Sequence, residues 1–260
     1  MNLLPFFKKL ISILPHPIEL SLKRLWQKWS QSIELDGELL ASIADYFSIS
    51  QKEAEILLRI GDKLNIYLWN SLKSSNRETL FYEITPFYIF DLAYWHMTRY
   101  QRRFRSKVIK LAKGKILDFG GGIGDLSLEL AKKGLFVTYA EVAGETFKFA
   151  NYLFSRNNFP VKVINLSKEK IEENYDTIIC LDVIEHIDNQ KETLDFFANH
   201  LNPGGLLIIT NLGFNKMNDE QYLKHPMHIP IKFDAIEYLL KLGFEPTKYP
   251  WMFIKKTFNL

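Results

Sequence analysis

Cysteine is almost missing from this chain: Cys180 is its one thiol in 260 residues. A disulfide framework and a cysteine-based zinc module are therefore excluded, and a reducing, cytoplasmic setting is expected. Long apolar runs are also missing. Leu3 to Leu14 comes nearest, but Pro5, Lys8 and Lys9 interrupt it and Pro15 ends it, short of the roughly 20 residues a membrane span needs. No small-residue cleavage site follows, so a signal peptide is not expected. Charge of one sign is not in large excess. The net value of +3 provides no global field for nucleic acid. Internal repeats and low-complexity stretches are absent too. What is abundant is aromatic side chain, 14% of the sequence with 20 Phe and 12 Tyr. Such residues fill cores or line a site for an apolar ligand.

The small net charge conceals an alternation. Residues 1–30 hold five bases and one acid, residues 31–92 ten acids and five bases, and residues 93–115 eight bases and no acid. The first ~110 residues read as helical. Leu39, Leu40, Ile43, Ala44 and Phe47 keep helical spacing, as do Ala54, Ile56, Leu57, Leu58 and Ile60. Ser50 with Glu53 fits a capping box for the second helix, and Gly61 is expected to close it. Ser48-Ile49-Ser50 between the two gives a helix-turn-helix flavour. An aromatic-rich segment from Phe81 to Phe104 follows.

From about Lys115 the texture changes. Short apolar runs at Ile116–Phe119, Leu135–Ala140, Val161–Ile164, Thr177–Leu181 and Leu206–Thr210 alternate with helical stripes. Leu194, Phe197, Ala198 and Leu201 form one such stripe, and Phe233 to Leu242 another. Buried strands alternating with helices imply an α/β, doubly wound, mainly parallel sheet covered on both faces. Two terminal strands, near Phe244–Lys248 and Trp251–Phe258, bring the expected sheet to seven. The division expected is a helical accessory region over 1–112 and an α/β domain over 113–260.

The chemistry concentrates at Ile116-Leu117-Asp118-Phe119-Gly120-Gly121-Gly122-Ile123-Gly124-Asp125, a strand, a glycine turn and a helix start. In a doubly wound sheet such a turn lets a nucleotide-like ligand approach the backbone at a helix N-terminus. The dinucleotide fingerprint G-x-G-x-x-G fails, because Asp125 stands at its third glycine. G-x-G-x-G fits instead, through Gly120, Gly122 and Gly124. Glu141 ends the next strand, 17 residues after Gly124. Leu181-Asp182-Val183-Ile184-Glu185-His186-Ile187 follows the fourth strand, and Leu201-Asn202-Pro203-Gly204-Gly205 precedes the fifth.

These four motifs, in this order, resemble the class I S-adenosylmethionine-dependent methyltransferases of the small-molecule type, similar to ubiquinone-biosynthesis O-methyltransferases. The resemblance covers roughly Lys113 to Leu260. It implies a Rossmann-like fold, S-adenosyl-L-methionine as cofactor and a small-molecule acceptor, apolar or aromatic, methylated on a hydroxyl. Carried onto this chain, Asp118 would hold the methionyl amino group or the backbone near it. The backbone of Gly120, Gly121, Gly122 and Gly124 would line the cofactor. Glu141 would accept from both ribose hydroxyls, as a carboxylate offers two oxygens at diol spacing. Val142 would pack on the adenine. Asn165 and Leu166 stand where the family often has an acid for the adenine amino group. Asp182 and Val183 would flank the transfer centre. No metal is implied.

Other readings stay open beside this one. A nicotinamide-dependent oxidoreductase would use a similar sheet, and a methyltransferase-like module without catalysis would serve assembly or membrane recruitment. His225 and His228, on the segment after the fifth strand, and His186 are the candidate bases or orienters, each set against a structural role. Tyr94-Trp95-His96-Met97 either closes over the ligand or packs between the two parts. The basic stretch Arg99–Lys115 is either a solvated helix face or a contact for an anionic acceptor or nucleic acid; no nucleic-acid partner is expected. Residues 1–30 form either an interfacial membrane helix or a helix packed on the body or on a second subunit. The helix-turn-helix flavour over residues 38–60 resembles a fold that small-molecule O-methyltransferases often carry as a dimerisation module, so a homodimer is also open.

Overall fold

The computed structural model describes residues 32–72, 77–213 and 227–257. Among the described residues six helices come first: α1 (Gly37–Phe47), α2 (Gln51–Leu58), α3 (Gly61–Ser71), α4 (Arg77–Ile84), α5 (Phe87–Met97) and α6 (Arg99–Leu111). Local chemistry starts and stops them. Asp36 accepts the backbone N–H groups of Glu38 and Leu39 to open α1, and Ser48, in the left-handed conformation, ends it. Ser50 and Glu53 form the expected capping box of α2. Gly61 does not close α2; it is the first residue of α3. A Cβ there would come 2.9 Å from the backbone nitrogen of Asp91 on α5, so the position is small to let α3 lie against α5.

The remaining elements alternate: β1 (Lys115–Phe119), α7 (Asp125–Lys132), β2 (Phe136–Glu141), α8 (Glu145–Asn157), β3 (Val161–Asn165), β4 (Tyr175–Cys180), a 3-10 turn (Ile184–His186), α9 (Gln190–His200), β5 (Leu201–Ile209), α10 (Ala235–Lys241), β6 (Phe244–Pro246) and β7 (Met252–Lys255). They build a seven-stranded sheet in the order β3-β2-β1-β4-β5-β7-β6. Strands β1 to β5 pair in parallel, and β7 enters antiparallel beside β5. The expected Rossmann-like sheet is thus present, with helical covering. The strand order reverses between β1 and β4, so the carboxyl ends of these two strands face one crevice. One strand differs from its expectation. Asn202 to Gly205 lies inside β5 as an irregularity in its pairing with β4, not before the strand.

Two apolar layers cover the sheet. On one, Phe197, Leu194, Leu239 and Phe253 are fully buried with Ile178 and Leu207. On the other, Ile43, Leu58, Ile89 and Ala93 of the N-terminal helices share a single cluster with Tyr139, Phe149 and Leu153 of the sheet part. The accessory helices therefore complete the sheet's own core. No helix among the described residues is long and apolar enough to cross a membrane. Residues 1–30, the candidate membrane segment, lie outside the described residues.

Phe149 sits on this seam, fully buried and edge-on to Tyr46 of α1 at 5.2 Å. Phe149→Ala is expected to destabilise the chain by about 3–5 kcal/mol. Urea unfolding followed by both far-UV circular dichroism and tryptophan fluorescence checks this, and both signals should move together in one earlier transition.

Candidate active site

A cavity of about 450 Å³ opens at the carboxyl edge of β1, β2 and β4. This lies within the range of pockets that take small molecules, roughly 300–1,000 Å³. Its floor is the glycine turn after β1. Gly120 has φ +67, and a Cβ there would strike Val183 at 2.6 Å, so two walls meet at this residue without a side chain between them. Gly121 and Gly122 line the cavity with it. Gly124 does not; it caps α7 at φ +77 and faces Phe154 and Ala150 of α8.

Glu141 ends β2 and turns to the cavity. One carboxylate oxygen accepts the N–H of Gly122 and the other the N–H of Val142, each at 2.8 Å. Burial nonetheless pushes its pKa up to about 7. Asp118, almost fully buried on β1, accepts the Ser127 hydroxyl at 2.7 Å, and burial raises its pKa to about 6. Val142, Leu166 and Val183 line the cavity as apolar walls. Asn165 spends its side-chain oxygen on the N–H of Ser167, 3.0 Å away, capping the turn after β3.

Asp182 stands after β4 in the left-handed conformation, φ 55. Its carboxylate gathers four donors: the Trp95 indole at 2.9 Å, Gln101 at 3.1 Å, Thr210 at 3.0 Å and Asn211 at 3.1 Å. Two come from the accessory helices and two from the end of β5. Asn211 also reaches Glu185, which is 2% exposed. Burial, then the neighbouring Asp182, pushes the pKa of Glu185 up to about 8.

His186 lines the cavity, and its Nδ1 shares a 3.0 Å hydrogen bond with the hydroxyl of Tyr82. The His228 ring stands 4.6 Å from the His186 ring, centre to centre. His225 lies outside the described residues. Glu185, His186 and His228 bring ligand-type atoms within 4.8 Å of one another. A divalent cation there would have to displace the proton that burial keeps on Glu185.

The structure adds residues that no motif marked. Tyr82, Tyr88, Leu92, Trp95 and His96 of the accessory helices form the cavity roof. Trp95 and His96 line this cavity, while Met97 is fully buried in the seam between the parts. Arg105 turns in from the basic helix α6 and bonds Asp125 at 2.7 Å, and His96 bonds the same carboxylate at 3.0 Å. Burial opposes ionisation of Asp125, yet Arg105 and then His96 hold it well below the usual carboxylate range. Burial and Arg105 lower the pKa of His96. Only the position of Asp125, directly after Gly124, hinted at this group. The rest of α6 partly follows the solvated reading, with Arg99 and Arg102 paired to Glu34 at the surface.

The family described as "Methyltransferase domain" matches residues 94–243. A protein described as ubiquinone biosynthesis O-methyltransferase from Rickettsia typhi (strain ATCC VR-144 / Wilmington) is 30% identical over 108 residues, 41% of this chain and 44% of that protein. Its counterpart from Rickettsia bellii (strain OSU 85-389) is 31% identical over 116 residues, 44% of this chain and 48% of that one. The chain spans about half the length of these curated relatives. A solved structure of magnesium protoporphyrin IX methyltransferase from Synechocystis PCC 6803, with bound SAH, aligns at TM-score 0.46 and 18% identity, covering 60% of this chain and 83% of that one.

The raised pKa of Glu185 carries a sign for stability. A carboxyl group near 4.5 when unfolded and about 8 when folded keeps its proton better in the folded chain. Its contribution is full at low pH and is lost as pH rises through about 8. Unfolding midpoints in urea, taken from about pH 5 to pH 8.5, should fall more steeply for the natural chain than for Glu185→Gln. Parallel slopes would contradict the shift.

Proposed function

This chain belongs to the methyltransferase domain family, and on that premise we propose that it methylates a hydroxyl of a small-molecule acceptor, using S-adenosylmethionine. The observation that carries the reading is the seat of Glu141. A carboxylate at the end of β2, already aligned by two backbone N–H groups, faces the same cavity as the glycine turn after β1. A ribose diol needs such a pair of acceptor oxygens, and a methionyl ammonium needs the carboxyl of Asp118 or a carbonyl beside it. The donor and acceptor set therefore fits the cofactor. The hydroxyl acceptor is supported by the relatives described as O-methyltransferases.

Charge agrees with the reading. Asp118, Glu141 and Asp182 line the cavity, while the Arg105 guanidinium there is already bonded to Asp125. The carboxyl groups suit a ligand with a sulfonium and an ammonium. When bound, S-adenosylmethionine supplies a methyl group already activated by the sulfonium charge. The residues of the chain then have to align, dry and deprotonate. Glu141 and the glycine turn fix the ribose end; Val142 and Leu166 provide apolar walls for the base. Tyr88, Leu92 and Trp95 exclude water from above. Alignment of this kind is worth roughly 7–11 kcal/mol of a barrier. His186 is the base that takes the acceptor's proton, with His228 beside it. Within the accessory region, taken as 1–112, the described helices serve the acceptor side through Tyr82, Tyr88, Leu92 and Trp95, ahead of the catalytic part over 113–260.

Calorimetry with S-adenosylhomocysteine tests the reading. One molecule should bind per chain, and Glu141→Ala should weaken binding about 10–100-fold, the worth of hydrogen bonds to a charged acceptor. Because the ionised form is the acceptor, affinity should rise as pH climbs through about 7 and flatten in Glu141→Gln. Absence of binding to the natural chain would overturn the reading, and NADH binding in its place would favour a nicotinamide enzyme.

A further inference from the structure

Carboxyl groups suit the cationic parts of the proposed cofactor, but its amino-acid tail also carries a carboxylate, which needs a cation. Arg105 is the only residue with a permanent positive charge among the described residues that line the cavity. Two other arginines of α6 stay at the surface. Arg99 and Arg102 pair with Glu34, each side chain 41% exposed, whereas the Arg105 side chain is 12% exposed. Lys107, two residues on, stands 3.9 Å over the Tyr249 ring. A guanidinium drawn from water needs an anion, and Asp125, the first residue of α7, supplies one at 2.7 Å. That bond runs from one terminal nitrogen of the guanidinium to one carboxylate oxygen. Both oxygens of Asp125 also face Nδ1 of His96, at 3.0 and 3.1 Å, and the Leu126 N–H bonds the same carboxylate. Asp125 is thus held from three sides, and it meets Arg105 end-on.

A guanidinium presents five N–H groups in a rigid plane, and pairs of them match the two oxygens of a carboxylate. An end-on partner leaves such a pair to another anion. Asp118 lines the same cavity, and the charge of Arg105 favours its ionised form against burial, so the two groups lie within each other's field. An α-amino acid carries its ammonium and its carboxylate on one carbon. It therefore needs an anion and a cation side by side, and Asp118 with Arg105 is such a set. We propose that Arg105 binds a carboxylate in this cavity, through N–H groups that Asp125 does not use. The proposal rests on the methyltransferase reading. Two sources of that carboxylate exist, the tail of the cofactor and an acidic acceptor. The neighbouring Asp118 favours the tail. Asp125 keeps the long arginine side chain in place beforehand, so little conformational freedom is lost when the ligand arrives.

Calorimetry with three nucleosides reads the carboxylate directly. They are S-adenosylhomocysteine, its decarboxylated form, which keeps the ammonium, and methylthioadenosine, which lacks the tail. The natural chain should bind S-adenosylhomocysteine about 10–100-fold more tightly than the decarboxylated form, the worth of hydrogen bonds between charged groups. In Arg105→Gln this ratio should fall to within about 3-fold, with the affinity for methylthioadenosine little changed. Arg105→Gln leaves Asp125 without its cation, so the paired variant Arg105→Gln with Asp125→Asn removes both charges together and should show the same loss. An ion pair that serves the fold alone would leave the ratio as it is. Benzoate, titrated into the natural chain saturated with S-adenosylhomocysteine, tests the second source. Benzoate binding that Arg105→Gln abolishes assigns the carboxylate to the acceptor. The proposal is overturned when neither the nucleoside ratio nor benzoate binding depends on Arg105. Failure of all three nucleosides to bind the natural chain would instead overturn the methyltransferase reading.

Discussion

Four carboxyl groups, on Asp118, Glu141, Asp182 and Glu185, are drawn from water at the edge of one sheet, and much of the molecule's arrangement answers to that. Each is accommodated differently. Asp182 receives four side-chain donors. Glu141 receives two backbone N–H groups, and Asp118 one hydroxyl. Glu185 meets Asn211 and is pushed toward its neutral form. A buried charge without partners costs several kcal/mol, so these donors are conditions for the crevice to exist at all. Arg105 and Asp125 compensate each other beside it.

The accessory helices belong to this arrangement energetically. Two of the four donors on Asp182, Trp95 and Gln101, come from α5 and α6. Detaching those helices would strip the carboxylate of half its partners and also open the apolar seam around Phe149. Roof and floor therefore hold each other, and Tyr82 adds a polar tie at the far side of the cavity. The aromatic richness of the sequence has its place here. Tyr82, Tyr88 and Trp95 face the cavity, while Phe81, Phe90 and Phe149 are buried behind it.

Much of this was legible in the sequence because the signals are local. Strand β1, its glycine turn and helix α7 occupy consecutive residues, so one motif names the floor. Glu141 could be read because a strand's end is set by its length. Other features needed distant residues to meet. Gly61 resembles a helix stop in sequence, yet it opens α3 because α5 passes close to it. Gly124 belongs to the glycine motif but serves packing against α8. Arg105 lies among seven other bases, and nothing in their spacing says which one turns inward. Asn165 occupies a strand end that invites a ligand, and a turn two residues on claims its oxygen.

The sequence by itself determined the alternation of strands and helices, the crevice that follows from it and the residues of its floor, because periodicity and glycine placement act over a few residues. Only the tertiary structure decided which side chains roof that crevice and which of them are spoken for. Trp95 and Asp182 are 87 residues apart, and Tyr82 and His186 are 104 apart. Such pairs are chosen by how the accessory helices settle on the sheet, through burial of apolar surface that carries no direction of its own. Hydrogen bonds then give that packing its one register, since every buried carboxyl group must find its donors at once.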